Sequence, residues 1–258
     1  MSEARAIGSD TPTGRMLRFT AFAFGAVSYL TFLFTILYAV GFVSDSVVPK
    51  TIDSGTKTPI SEAVVINLAL TSLFALQRSM VARRVVKQRW TRFIPRSIER
   101  STNFLLASLT LLLLFWQWRP MPAVIWHIGE PEMAATVTTL SLGGWVLVFS
   151  STFLINHFEL FGLRQVTNNP AGRQLLRPAV RMPYLYNFVR HPIYLGFVVA
   201  LWAAPIMTAG HLLFAVVTTA YIAAGITLEE HDSIDMFGDE YRRSRERVSI
   251  LLPGRERI

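Results

Sequence analysis

The fold is decided where the chain reads Tyr186-Asn187-Phe188-Val189-Arg190-His191-Pro192-Ile193-Tyr194-Leu195-Gly196, at the start of an apolar segment. Proline has no N–H and a fixed φ, so Pro192 predicts the first turn of a helix, with Arg190 and His191 just outside it. The N–H groups of that turn and the Arg190 guanidinium then face one aqueous rim, which suits a carboxylate or phosphate. The alternative is an interfacial helix start whose Arg and His side chains reach lipid headgroups.

A second polar cluster follows the apolar run that ends near Leu228, and it begins with Glu229 and Glu230. Two carboxylates at the C-terminal end of a membrane helix oppose the helix dipole, so we expect a compensating positive group. A helical hairpin that turns between residues 205 and 210 would return Arg190 and His191 to the membrane face that carries Glu229 and Glu230.

Composition predicts an all-α fold, a polytopic membrane helix bundle. Hydrophobic residues make up 52% of the 258 and charged residues 16%, and the apolar residues come in long blocks. Cysteine is absent, which excludes disulfides and cysteine-ligated metal. We expect four spans, over residues 19–43, 60–76, 103–118 and 134–155. A C-terminal transmembrane hairpin follows over 192–205 and 210–228, and a cytosolic amphipathic tail helix over about 236–248.

The connection over residues 78–100 carries one acid, Glu99, against eight basic residues: Arg78, Arg83, Arg84, Lys87, Arg89, Arg92, Arg96 and Arg100. The positive-inside rule makes this loop cytosolic, and an even number of crossings puts both termini in the cytosol as well. The predicted location is therefore a membrane that borders the cytosol. Contact with anionic lipid explains the same charges, and nucleic acid or a cofactor phosphate is the alternative.

Three local patterns carry further expectations. The aromatic cluster of Phe115, Trp116 and Trp118 predicts an interfacial belt, and residues 119–133 predict an outer loop. The pair Gly143-Gly144 predicts close helix packing, with a ligand site as the alternative. The first arm of the hairpin is too short for a straight crossing of about 30 Å of hydrocarbon, so we expect it to be tilted or buried.

Polar groups alternate with bulky apolar ones where the fourth span ends, at Asn156, His157 and Glu159. Capping and interface solvation would explain them. However, the predicted topology brings them to the same face as Arg190 and Glu229, which favours a substrate site.

The polar motifs together resemble those of the integral-membrane isoprenylcysteine carboxyl methyltransferase superfamily. The resemblance rests on Arg-His-Pro-x-Tyr-x-Gly at 190–196, Glu-Glu at 229–230 and Phe-Gly-x-Glu-Tyr at 237–241. The stretches 151–166 and 202–214 are similar to the bacterial methanethiol S-methyltransferases, so the resemblance covers about 150–253. Ser244 and Ser249 depart from the wider pattern, which often has Tyr and Pro there.

The resemblance implies S-adenosylmethionine as cofactor and a small thiol as substrate, with methanethiol converted to dimethyl sulfide. It implies that Arg190 binds the carboxylate of the methyl donor and that Glu229 or Glu230 binds its ammonium group. The resemblance also implies that four further residues of the motifs contact the adenosine of the methyl donor or position the donor: His191, Tyr194, Gly196 and Tyr241. An alkyl thiol is mostly protonated at neutral pH, so a base is needed, and we expect His157 in that role, oriented by Glu159 or Asn156.

The expected organisation is a disordered cytosolic tail at 1–14, N-terminal membrane helices at 15–133 and a methyltransferase core at 134–258. The expected partners are the thiol and the lipid bilayer, without nucleic acid or metal. Two alternatives remain at this point. One is an enzyme of the same superfamily with another acceptor, such as a prenylated cysteine carboxylate. The other is a non-enzymatic membrane protein of transport or haem biogenesis, in which the polar residues line a pathway.

Overall fold

The computed structural model describes residues 12–82, 98–154 and 191–237. Over these residues the chain forms six helices and two short strands: α1 Pro12–Val43, α2 Ile60–Ala82, α3 Glu99–Gln117, β1 Val124–His127, α4 Pro131–Leu154, α5 Pro192–Trp202, β2 Ile206–Thr208 and α6 Ala209–Phe237. Each predicted span overlaps one of these helices, although the arm predicted over 192–205 ends earlier, at Trp202. The prediction of a helical membrane protein is therefore confirmed.

Four of the helices are long and apolar enough to cross a membrane, over Phe19–Val43, Ile60–Met80, Pro131–Thr152 and Ala209–Leu228. Their large apolar side chains stay exposed along much of each helix, as at Leu30, Phe34, Leu140 and Val146. Lipid tails can cover such surfaces where water would not. The chain is a multi-pass membrane protein. The apolar parts of α3 and α5 are shorter.

The described residues pack as two compact units. The first contains residues 12–39, 72–82 and 98–117, where α1 packs on α3 through aromatic pairs. The rings of Phe32 and Phe104 meet edge to face at 5.6 Å, and those of Tyr38 and Phe115 stack at 5.7 Å. Offset and edge-to-face pairs of this kind stabilise beyond the apolar area that they bury.

The second unit contains residues 40–71, 118–154 and 191–237. Its core holds three rings in mutual edge contact, those of Phe42, Trp118 and Phe214, with centroids 5.5–6.2 Å apart. Phe42 and Trp118 are almost fully buried. The predicted aromatic belt is therefore wrong for Phe115 and Trp118, since both are buried, whereas Trp116 is 71% exposed and fits the prediction.

Above these rings the segments that follow α1, α3 and α5 meet in one layer, which we call the polar cap (residues 44–59, 118–130 and 203–208). The amide of Asn67 holds the backbone of Arg119, donating to its carbonyl at 2.8 Å and accepting from its N–H at 2.9 Å. The Thr208 hydroxyl donates to Asp53 Oδ1 at 2.7 Å. Since an unpaired polar group is costly in an apolar setting, these bonds hold the segment after α3 to α2 and the segment after α1 to the segment after α5.

A small antiparallel ladder completes the cap. Strand β1 pairs with β2 in the register Val124 with Thr208, Trp126 with Met207 and His127 with Ile206, with an irregularity between Val124 and Trp126. The sequence predicted only a loop over 119–133, and β1 and the first residues of α4 lie within that range. The strands are too short to show a periodic pattern, which explains why the sequence did not indicate them.

Helix α6 runs through the acidic pair instead of ending before it. It continues to Phe237, so Glu229 and Glu230 lie in the interior of a 29-residue helix. The expectation that these acids oppose the dipole at a helix end is therefore wrong, since the dipole acts only in the last turn. The predicted tail helix around 236–248 falls almost wholly outside the described residues, as does most of the basic loop.

Charge in the cap gives a first prediction. Burial raises the pKa of the Asp53 carboxyl above 3.8, the Thr208 hydrogen bond opposes this shift, and Asp45 adds to it. The folded protein therefore binds the carboxyl proton of Asp53 more tightly than the unfolded chain does. Protonated Asp53 stabilises the fold at low pH, and this stabilisation is lost as the pH rises from about 3.8 through the pKa of the folded state. Asp53→Asn, which keeps an acceptor for Thr208, should match wild type in thermal unfolding at low pH and exceed it at neutral pH.

The measurement is thermal unfolding in detergent from pH 4 to pH 8, with Glu62→Gln, which removes an exposed acid of α2, as control. A difference between Asp53→Asn and wild type that does not vary with pH would contradict the prediction.

Candidate active site

The geometry that positions the candidate site is the contact between α4 and α5. At Gly144 an added Cβ would lie 2.6 Å from the Ala200 nitrogen and 2.7 Å from the Gly196 oxygen. At Gly196 an added Cβ would lie 2.8 Å from the Gly144 oxygen and 2.8 Å from Val148 Cγ2. The two backbones therefore touch directly, as small residues allow in membrane helices. This confirms the predicted close packing for Gly144, while Gly143 has nothing within 4 Å.

Two further contacts fix the register of this pair. The Ser141 hydroxyl donates to the Ala200 carbonyl at 2.9 Å, and the rings of Trp145 and Phe197 meet edge to face at 5.8 Å. Ser141 thus lies near Ala200, and Val148 lies near Gly196. Since residue numbers rise along α4 as they fall along α5, the helices run antiparallel, and the last turns of α4 lie at the level where α5 begins.

Helix α5 begins as the sequence predicted. Pro192 occupies its first turn, and His191 is the N-cap residue. The His191 carbonyl accepts from the Leu195 N–H at 3.1 Å, but its imidazole does not cap the turn. Instead the ring stacks on that of Tyr194, with centroids 5.3 Å apart and planes inclined by 27°. The first turn of α5 therefore directs its N–H groups outward without a side-chain cap from His191, which suits an anion.

The other end of α5 is closed by side chains from the rest of the second unit. His211 Nε2 lies 2.8 Å from the Leu201 carbonyl, and Trp126 Nε1 donates to the Ala204 carbonyl at 3.1 Å. The last carbonyls of a helix have no partners within it, so the His211 contact stabilises the C-terminal end of α5, and the Trp126 bond holds the backbone that follows it. With α4 along its side and these groups at its end, this 11-residue helix is held firmly although it is short.

The structure describes some of the predicted site residues and leaves others outside its range. His191, Tyr194 and Gly196 lie together on the first turns of α5, and Gly196 has a packing role against Gly144 that the motif alone did not indicate. Glu229 and Glu230 lie within α6, where only their backbone is described. Five predicted residues lie outside the described residues: Asn156, His157, Glu159, Arg190 and Tyr241. Their roles stay predictions, as does the cofactor-binding role of the described ones.

Metal ligands were not expected at this site. Within the residues that the structure describes, His, Asp and Glu side chains form no group of three or more that could hold a metal ion. The expectation of a metal-free site stays a prediction.

Known proteins similar to this chain identify its family. Methanethiol S-methyltransferase 1 of Bradyrhizobium diazoefficiens is 59% identical over 256 residues, which cover 99% of this chain and 90% of the relative. The chain belongs to the methanethiol S-methyltransferase family. Another relative of that name, from Mycobacterium tuberculosis, is 53% identical over 92% of this chain and 98% of its own length.

A more distant similarity links this chain to an animal protein. Nurim of Xenopus laevis is 31% identical over 202 residues, which cover 74% of this chain and 67% of the relative. No protein-family model matches the chain, and no solved structure is similar to it. Membership in the family makes the chain a methyltransferase, so its reaction requires a methyl donor.

The helix contact at the site gives a second prediction. Gly144→Ala should destabilise the protein by about 1–3 kcal/mol, since the new methyl group would overlap backbone atoms of α5 that cannot turn away. Gly143→Ala is the matched control. It meets open space and should be neutral or slightly stabilising, because alanine is favoured over glycine in a helix by about 1 kcal/mol.

Both variants would be followed by thermal unfolding in the same detergent. Equal unfolding temperatures for the two variants would show that α4 and α5 are not in backbone contact at Gly144.

Proposed function

We propose that this chain transfers a methyl group from S-adenosylmethionine to methanethiol, which yields dimethyl sulfide. The observation that carries the proposal is the 59% identity to a methanethiol S-methyltransferase over nearly the whole chain. The relative's name specifies a thiol acceptor. The same similarity favours an enzyme over a transport or biogenesis protein.

The start of α5 fits the methyl donor. Arg190, which directly precedes this turn, would give the carboxylate of the donor a charge-assisted hydrogen bond. The stacked rings of His191 and Tyr194 offer an aromatic surface to a planar base. When bound, S-adenosylmethionine supplies an electrophilic methyl group on a sulfonium centre.

Helix α6 supports the assignment of Glu229 and Glu230 to the ammonium group. Trp202 Nε1, at the end of α5, donates to Thr219 Oγ1 at 3.0 Å. The same number of residues separates Trp202 from Pro192 as separates Thr219 from Glu229. In an antiparallel hairpin with a rise of about 1.5 Å per residue, this arrangement brings Glu229 toward the level of Pro192. Arg190, for the carboxylate of the donor, and Glu229 or Glu230, for its ammonium group, would then lie at one membrane face.

The chain's own residues would prepare the thiol. His157 follows α4 by three residues, so it would continue from the helix end that lies level with the start of α5. There it would accept the thiol proton, with Glu159 or Asn156 orienting the imidazole. Exclusion of water by the surrounding apolar helices favours the reaction, because opposite charges on thiolate and sulfonium cancel as they react.

The proposed location is the bacterial inner membrane, with both termini in the cytosol. The segments after α1, α3 and α5 meet in the polar cap, as connections on one side of a membrane would. The basic connection between α2 and α3 then belongs to the other side, which the positive-inside rule makes cytosolic. The proposed site, at the end of α5 remote from the cap, would face the cytosolic supply of the methyl donor.

The test is direct. Membranes that contain the chain, supplied with methanethiol and S-adenosylmethionine carrying an isotopically labelled methyl group, should release dimethyl sulfide with one labelled methyl, measured by headspace gas chromatography and mass spectrometry. Membranes without the chain are the control. Absence of dimethyl sulfide, with label transferred instead to a prenylated cysteine peptide, would replace the proposed acceptor.

The role of His157 gives a separate prediction. His157→Ala should lower turnover by about 10²–10⁴-fold, as expected for the loss of one general base, and leave the affinity for S-adenosylhomocysteine nearly intact. Higher pH should partly restore the rate, because more thiolate is then present in solution. His127→Ala, which removes an exposed histidine of β1, is the control. Wild-type turnover of His157→Ala at neutral pH would move the base to Glu159 or His191.

A further inference from the structure

Ser151 differs from several other hydroxyl residues of the membrane helices. A serine or threonine in a helix usually donates to the carbonyl one turn earlier, which satisfies the hydroxyl within the helix. Ser28, Thr35, Ser108 and Thr152 all do so, at 2.7–2.9 Å. Ser151 is 0% exposed, yet its hydroxyl has no hydrogen-bond partner within the part of the chain that the structure describes.

The position of Ser151 on α4 directs its side chain toward α5. It follows Gly144 by two turns, which places it about 20° from Gly144 around the helix axis and about 10 Å further along it. Gly144 touches the α5 backbone at Gly196 and Ala200, and Val148, between the two, touches Gly196. Ser151 thus continues the face that packs on α5, at the level of the buried Pro192. Its hydroxyl is aimed at the first turn of α5.

We propose that the Ser151 hydroxyl and the N-terminal turn of α5 form the subsite that binds the methanethiol sulfur as a thiolate. The proposal rests on the proposed function and names the part of the site that receives the acceptor. A helix N-terminus favours a thiolate and lowers its pKa. The hydroxyl adds one donor, and neither group carries a full charge that would hold the sulfur too tightly to react.

A thiol is a better occupant of this subsite than the amino-acid part of the methyl donor. That part carries a carboxylate and an ammonium group, which the proposed function assigns to Arg190 and to Glu229 or Glu230, so it does not need the neutral Ser151 hydroxyl. Methanethiol has one small methyl group and one sulfur. The face of α4 that carries Ser151 has only small or apolar residues at Gly144 and Val148, and it meets Gly196 of α5, which suits the methyl group, while the hydroxyl suits the sulfur.

The atoms of the step balance without a further reactant. The S–H bond of methanethiol breaks, and its proton passes to the base, His157 in the proposed function, and from there to water. A sulfur electron pair forms the new bond to the donor methyl carbon. The bond from that carbon to the sulfonium breaks, and its electrons remain on the donor sulfur, which becomes a neutral thioether. Ser151 keeps its proton throughout and acts as a hydrogen-bond donor.

The experiment compares Ser151→Ala with Thr152→Val and wild type. Ser151→Ala removes a hydroxyl that has no partner in the helix, whereas Thr152→Val removes one that is bonded to Val148. We expect Ser151→Ala to lower kcat/KM for methanethiol by about 10-fold, the effect of one hydrogen bond to a charged group. Its affinity for S-adenosylhomocysteine and its unfolding temperature should stay at wild-type values, and Thr152→Val should match wild type in all three measurements.

A second measurement does not depend on turnover. S-adenosylhomocysteine has no methyl group to transfer, so methanethiol binding to its complex with the protein can be followed by calorimetry across pH. Wild type should bind the thiol with proton release, and Ser151→Ala should need a higher pH for equal affinity. Ser151→Cys, which keeps a weak donor of similar size, should fall between the two.

The outcomes separate the two proposals. If wild-type protein forms no dimethyl sulfide, the proposed function fails. If wild type is active but Ser151→Ala binds methanethiol normally, only the thiolate subsite is refuted. Weaker binding of S-adenosylhomocysteine to Ser151→Ala, with normal thiol affinity, would assign the hydroxyl to the methyl donor and also overturn the inference. If Ser151→Ala unfolds at a lower temperature than wild type, Ser151→Cys takes its place. Thiol binding by Ser151→Cys with the same pH dependence as wild type would then refute the thiolate subsite.

Discussion

The direct contact between the backbones of α4 and α5 is the constraint on which the proposed site depends. With no side chain at Gly144 or Gly196, the two helices approach until a single added methyl group would overlap main-chain atoms. Close approach of this kind strengthens dispersion contacts, which are a principal source of helix association where water does not drive it. It also fixes, through the Ser141 bond to Ala200, which residue of one helix lies opposite which residue of the other. The end of α4 and the start of α5 thus meet at a set level.

The polar cap holds the opposite end of the same helices. Polar side chains there bind backbone groups and each other: Asn67 binds Arg119 twice, Thr208 binds Asp53, and His211 closes α5 at Leu201. A helix of 11 residues spans only about 16 Å, so α5 cannot cross about 30 Å of hydrocarbon by itself. The segment 203–208 extends it as irregular backbone and a strand. Such backbone is tolerated at depth because protein groups supply its hydrogen bonds.

The sequence predicted the parts of the fold that depend on local physics. Long apolar runs gave the spans, and the fixed φ of Pro192 gave the start of α5 within a residue. Hydropathy did not predict that α6 continues beyond Leu228 to Phe237. Glu229 and Glu230 are good helix formers, so the helix continues where the apolar pattern stops. It also could not separate Trp118, buried against Phe42, from the exposed Trp116, since tertiary packing decides between a core and an interfacial aromatic. The sequence alone did not indicate the helix face formed by Ser141, Gly144, Val148 and Ser151, because only the contacts with α5 show which side of α4 is buried. The missing partner of the Ser151 hydroxyl likewise becomes apparent only in the structure.

The cap bonds also set an order for assembly during synthesis. Asn67 is 52 residues from its partner Arg119, and Asp53 is 155 residues from Thr208. As the chain enters the membrane from its N-terminus, the Asn67 amide can close its bonds once α3 has been inserted. The Asp53 carboxylate has to wait for the last hairpin. A nascent or truncated chain that ends before Thr208 therefore carries this acid without its hydroxyl partner, in a segment still open to chaperones and proteases, and the cap closes only after α5 has been made.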